Sequence, residues 1–320
     1  MDKAYFNREL SLLEFNKRVL YQAYNRSLPL LERLRFLCIF STNLDEFFEV
    51  RVGGLVEILE RNVPPTQGPD GLTQAQTLNE ISLRAHQLVD EQYRILNDDI
   101  LPALRSNHIS ILRREEWTQE QILHLKQVFL SEVLPVLSPI GLDPAHPFPR
   151  ILNKSLNFIV RLDGKDAFGR NSGRAIVQVP RSLPHLIELP PELVEQGQAF
   201  VFVSAIVHFF MAELFVGMTV VESYQFRLTR NSDIFLDEEE TDDLLRAVQG
   251  ELAYRQYGDE VRLEIADTCP AELEQFLLQR CDIKERDLYR IGGPVNLNRF
   301  SDLFDLVKTP EHFFKPFVQA

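Results

Sequence analysis

Apolar residues in the first third of the chain recur at helical spacing. Leu12, Phe15, Val19, Leu20 and Ala23 follow Ser11, and Ser11 with Glu14 has capping-box spacing, which predicts a first helix from Ser11. Ser27 and Pro29 predict the start of a second, with Leu30, Leu34, Leu37 and Phe40 on its faces. Residues 40–55, FSTNLDEFFEVRVGGL, predict a third. Thr42 and Asn43 stand just before Asp45 and Glu46, the order of a helix start. A side-chain oxygen takes an orphan N–H there, and acids meet the positive end of the dipole. This helix is expected to run from Asn43 to about Arg61, and Gly53-Gly54 predicts close packing against another backbone or a weak point. Residues 62–71 read as a loop. From Thr73 the helical pattern is long, and Pro102 is expected to end or kink it. Residues 1–106 therefore predict an all-helical N-terminal bundle.

The pattern changes beyond Ser106-Asn107. Residues 109–112 predict a short strand, and Thr118 with Gln121 caps a helix. Residues 134–150, LPVLSPIGLDPAHPFPR, contain too much proline for anything but rigid, non-helical backbone. Leu156, Phe158, Val160 and Leu162 alternate with other residues as a strand does, and further strands are expected at 175–179, 200–203, 224–228 and 261–265. Helices are expected after residue 203, over 239–255 and from Pro270. Residues 107–320 thus predict an α+β head domain with a mainly antiparallel sheet, and the whole chain an α+β multidomain protein.

Charge and composition narrow the classes. The formal net charge of −13 argues against a general nucleic-acid binder. No apolar run reaches the roughly 18 residues a membrane span requires, and the N-terminus MDKAYFNREL lacks an apolar signal region, so the expected location is cytoplasmic. Cys38, Cys269 and Cys281 show neither a disulfide framework nor metal spacing. The acidic run at 237–243 reads as the first turn of a helix.

Familiar chemical signatures are missing: there is no GxxxxGK[ST] loop, no GxGxxG turn, no GxSxG serine and no paired metal-ligand histidines. His146 lies between prolines with Asp143 in reach to orient its ring, which fits an acid–base role or a structural histidine. Arg227, on a strand, and Arg230 at its end offer forks for phosphate oxygens or for an Arg–Asp network, to which Arg255 and Arg262 would add. Arg51 follows Glu46 and Phe47 near one face of the third helix.

The stretches YFNRELSLLEFNKRVL, LRFLCIFSTNLDEFFEVRVGGL, DPAHPFPRILNKSLNF, FRLTRNSDIFLDEEE and YGDEVRLEI, in this order, resemble the N-terminal half of class 1 polyphosphate kinases. The resemblance implies a helical domain and an α+β head preceding two phospholipase-D-like domains. It implies reversible transfer of the terminal phosphate of ATP to inorganic polyphosphate, through a phosphohistidine and with Mg2+. Asn43 matches the family's ATP-contacting asparagine; Arg51, Arg227 and Arg230 become candidate polyphosphate contacts. The family's reactive histidines and metal ligands fall beyond Ala320, so no catalytic or metal residue is assigned here, and the chain alone is expected to be inactive. A nucleotide site for ATP and ADP, a polyphosphate passage and a homodimer are the implied contributions. The competing class is a standalone interaction module without catalysis.

Overall fold

A computed structural model describes residues 5–60, 66–143, 146–164, 173–231 and 258–315. Helix α1, Arg8–Tyr21, starts three residues before the expected Ser11. Asn7 is its cap: the Oδ1 accepts from the Leu10 N–H at 3.0 Å, and its Nδ2 donates to Asp70 at 2.6 Å. Ser11 instead donates back to the Asn7 carbonyl at 2.7 Å.

Helix α2, Leu30–Glu46, begins after Pro29 as expected, but it does not stop for Asn43. It continues through a π-turn, Phe47–Val52, into α3, Gly53–Glu60. Asn43 is therefore a mid-helix residue and not an N-cap. Thr42 donates to the Cys38 carbonyl one turn back at 3.1 Å. The physical reason is burial. Leu37, Phe40, Leu44 and Phe48 carry one apolar stripe straight across the supposed break, all 2% exposed or less, and that outweighs a local capping tendency.

The π-turn ends at Gly53, where a Cβ would lie 2.5 Å from the Asn231 side-chain oxygen. Gly53 thus permits a close approach, to a side chain rather than to the backbone expected from the sequence.

Helix α4, Gln74–Ile95, has a full Thr73–Gln76 capping box. Pro102 does not end it: a second π-turn, Leu96–Ile100, leads into α5, Leu101–Ser106, and Pro102 sits in that helix's first turn, where its missing N–H matters least.

The remainder holds two sheets. The smaller has the order β1 (Ile109–Ile111), β6 (Gln198–Phe202), β5 (Leu186–Glu188), with β1 and β6 parallel. The larger contains β2 (Pro139–Gly141), β3 (Leu156–Gly164), β4 (Arg174–Gln178), β7 (Met218–Arg230), β8 (Glu260–Ala266) and β9 (Leu288–Ile291). Its order is β2-β4-β3-β7-β8-β9, antiparallel throughout except for β8 with β9. That parallel pair requires a crossover, and α8, Ala271–Arg280, supplies it between the two strands. Helices α6, Gln119–Val128, capped by Thr118 and Gln121, and α7, Val203–Phe209, complete the head. The helix expected over 239–255, the acidic run at 237–243 and Arg255 lie outside the described residues.

Both faces of the large sheet are covered. Leu156, Phe158 and Val160 of β3 join a core that extends into the helical region, while Ile159 points to a second core beneath Leu273 and Leu277 of α8. Polar contacts tie the helical region to the head as well. The Tyr93 hydroxyl donates to the Pro294 carbonyl at 2.8 Å, and the Asn97 amide to the Gly292 carbonyl at 2.8 Å. No helix among the described residues is long and apolar enough to cross a membrane.

Half-buried His208 on α7 has a pH consequence. Burial, aided by the Arg114 charge, lowers its pKa from 6.5 to about 4. The unfolded chain takes up this proton between those values and the folded protein does not. Stability from this group is complete above pH 6.5 and is lost as pH falls toward 4, by on the order of 3 kcal/mol. In melting curves across that window, His208→Gln is expected to flatten the slope. His185, also shifted down by burial and by Arg299, leaves a residual dependence.

Candidate functional site

One helical run presents two working faces. Asn43, Glu46, Phe47, Val50 and Arg51 line a cavity of about 250 Å3, closed on the other side by Leu12, Phe15 and Asn16 of α1. These positions repeat every three or four residues, so a single face carries them. Of the sequence-derived candidates, the structure brings Asn43 and Arg51 together here.

Asn16, which the sequence patterns did not single out, organises the polar edge. It is 5% exposed, and its Nδ2 donates to the Phe40 carbonyl at 3.2 Å. That bond turns its Oδ1 toward Asn43, whose Nδ2 donates to it at 3.1 Å. One amide hydrogen and the carbonyl of Asn43 remain for a ligand. Arg51 has no carboxylate partner among the described residues. Phe15, 53% exposed, adds an aromatic surface. A signal for Asn16 did exist: it interrupts the buried stripe of Leu13 and Leu20 on α1, and a polar residue there must have a partner.

The opposite face of the same run is bolted to the head. Arg227 of β7 donates to both oxygens of Asp45, at 2.8 and 2.7 Å, and to Glu264 of β8 at 2.6 Å. Arg262 also bonds Asp45, reaches Thr229 at 3.1 Å and stacks over Phe48 with its guanidinium 4.7 Å from the ring centroid. Two cations and two anions balance in a buried quartet. One turn further on, Glu49 accepts from Asn153 at 2.6 Å and from Lys154 at 2.7 Å.

Burial alone would raise the Asp45 carboxyl pKa. The Arg227 and Arg262 charges outweigh it and hold the group below its ordinary value of 3.8. Burial likewise works against the Arg227 cation, and the Asp45 and Glu264 charges overcome it and raise its pKa.

Arg227 and Arg230, read from sequence as possible phosphate contacts, lie away from the Asn43 cavity. Arg227 is 1% exposed with its fork filled by carboxylates, the Arg–Asp network that was the alternative reading. Arg230 is 5% exposed and donates to the Ile151 and Gly258 carbonyls at 2.8 and 2.7 Å and pairs with Glu260 at 2.7 Å. Neither presents a fork to solvent here. Both hold strands in place, and Arg227, through Asp45, also ties down the helical run that carries Asn43. His146 has its Nδ1 3.2 Å from Asp143, as the sequence suggested, in an exposed loop outside this cavity. The described residues contain no group of three or more His, Cys, Asp or Glu that could hold a metal ion.

Comparison with known proteins gives the family of the chain. Residues 5–112 match the family described as polyphosphate kinase N-terminal domain, and residues 120–303 the polyphosphate kinase middle domain. A polyphosphate kinase of Pseudomonas syringae pv. tomato is 51% identical over 316 residues, covering 99% of this chain and 43% of that protein. The Pseudomonas aeruginosa polyphosphate kinase is 49% identical, with 99% and 46% covered. The crystal structure of polyphosphate kinase from Porphyromonas gingivalis superposes with a TM-score of 0.77 at 26% identity, over 99% of this chain and 44% of that one. The chain spans less than half the length of these relatives. With both family domains matched in order over nearly its full length, the chain belongs to the polyphosphate kinase family.

Proposed function

We propose that this chain is the nucleotide-side part of a cytoplasmic polyphosphate kinase that reversibly transfers the terminal phosphate of ATP to inorganic polyphosphate. The observation that carries the reading is the Asn43 cavity. It combines an apolar and aromatic wall, an amide with a free donor and acceptor, and a guanidinium without a carboxylate partner among the described residues. Its volume suits a base and part of a ribose, at the small end of ligand pockets.

In this reading the Asn43 amide reads an adenine edge or fixes the ribose, Phe15 offers a ring face, and Arg51 meets phosphate charge. Phosphoryl transfer consists mainly of positioning and charge neutralisation, so a part without the reacting group still governs rate. In this reading the phosphohistidine and the Mg2+ ligands lie outside this chain. Mg2+, when bound there, neutralises developing charge on the phosphates. Support for a homodimer and for a polyphosphate passage completes the proposal.

In the kinase that carries this chain, Asn43→Ala is expected to raise the KM for ATP about tenfold, the loss of one ligand hydrogen bond at a partly buried site. The melting transition is expected to stay within about 1 kcal/mol of the parent, because the helix gains a better former at that position. Unchanged ATP kinetics, or a collapsed melting transition, reduces Asn43 to a structural residue and favours a non-catalytic module.

A further inference from the structure

The proline-rich stretch has a place in the fold that the nucleotide reading leaves unused. Leu142, Asp143 and residues 146–149 of that stretch, together with β2, the ends of β3 and β4, and α8, line a cavity of about 680 Å3, larger than the Asn43 cavity and within the usual range for organic ligands. Phe148 and Phe276 form an apolar wall, their ring centroids 6.1 Å apart in an edge-to-face pair. Arg161, Arg174 and Arg280 line the same space. The Arg174 and Arg280 guanidiniums lie 4.4 and 5.5 Å from the Phe276 centroid, which gathers positive charge around one aromatic ring.

Carboxylates meet some of this charge. Arg174 donates to Glu272 at 2.6 Å, and the Arg161 Nε lies 2.9 Å from Glu222. Arg280 has no such partner among the described residues. His146, its ring 3.2 Å from Asp143, supplies a further polar edge.

Cations gathered around aromatic rings in a roomy cavity match one ligand chemistry: an oxyanion joined to a flat apolar body. We propose that this cavity is a second binding site, built from other elements than the Asn43 cavity, that takes a nucleoside phosphate. Arg280 takes the phosphate, with Arg174 and Arg161 supporting it, and the Phe148–Phe276 wall takes the flat body. The inference does not depend on the role of Asn43.

The test titrates the full chain, labelled at isoleucine methyls, with ADP, inorganic tripolyphosphate and adenosine. Ile140 lines this cavity and reports on it alone. ADP is expected to move the Ile140 methyl with saturation in the millimolar range or below, more tightly than tripolyphosphate or adenosine. Arg280→Ala is expected to weaken ADP about tenfold and Arg280→Lys to recover part of the loss, while Asn43→Ala leaves the Ile140 titration unchanged. Arg280 is exposed at the end of α8, so its variants are expected to fold. An Ile140 methyl that is silent to ADP up to about 10 mM, or equal ADP affinity in Arg280→Ala, overturns the site. Tripolyphosphate binding as tightly as ADP overturns the flat-body requirement and leaves a bare phosphate-chain site.

Discussion

Asp45→Asn is expected to destabilise the protein by about 3–5 kcal/mol, although the substitution barely changes size. The carboxylate sits between Arg227 and Arg262, each 1% exposed, and removing its charge leaves Glu264 as the one anion against two buried cations. A companion variant distinguishes charge from shape. Asp45→Asn combined with Arg262→Met restores balance between Arg227 and Glu264 and is expected to recover at least half of the loss in denaturant unfolding. Additive losses in that cycle would mean that the quartet is not a coupled unit.

The pH dependence gives an independent check. Asp45 titrates below its ordinary value of 3.8, so its contribution is complete above that pH and disappears as pH falls through the folded-state value. The stability gap between parent and Asp45→Asn is therefore expected to be constant near neutrality and to narrow below about pH 4. The same substitution loosens the helical run that carries Asn43 and Arg51, so nucleotide affinity should fall even though Asp45 touches no ligand in the proposed site.

Gly197→Ala is expected to cost about 2–5 kcal/mol, combining left-handed strain with overpacking. Gly197 has a φ of +73°, and a Cβ there would overlap the His108 carbonyl oxygen. That oxygen cannot move away freely, because it accepts from the Gln198 N–H at 2.9 Å and begins the β1–β6 pairing. His108 is itself left-handed, with φ 60°. Two unusual backbone conformations thus face each other where the chain passes from helices to strands. A melting temperature within a degree or two of the parent in Gly197→Ala would show that this junction can relax. Gly173→Ala serves as the control, since an added Cβ there meets nothing within 4 Å.

Much of the helical architecture was legible because its signals are local. The Thr118–Gln121 box forms as its spacing demands, since cap and acceptor lie within one turn of each other, and the long helix begins just after Thr73 as its pattern predicts, whereas the Ser11–Glu14 spacing yields its cap role to Asn7. The β3 alternation was legible too, yet it hides that Ile159 is as buried as Phe158, because only the tertiary structure puts α8 on the second face. Strand β9, four residues long, has no alternation to announce it and exists through its parallel register with β8.

The candidate site divides along the same line. Asn43 and Arg51 were visible, and their common face follows from spacing on a helix. That Asn43 is a mid-helix residue was not visible, because Thr-Asn before two acids is a genuine local start signal that loses to burial of Phe40, Leu44 and Phe48. Arg227 exposed the limit most clearly. From sequence, an arginine on a strand fits a phosphate or a carboxylate equally well, since both accept its fork. The partner that decides, Asp45, lies 182 residues away in the chain. By itself, then, the sequence determined the helical character of the first third, most strands and the family, all written in short-range periodicity and motif. Only the tertiary structure decided which charges neutralise one another and which stay available to a ligand, because a charge pair depends on distance in space and burial, and neither is encoded in spacing along the chain.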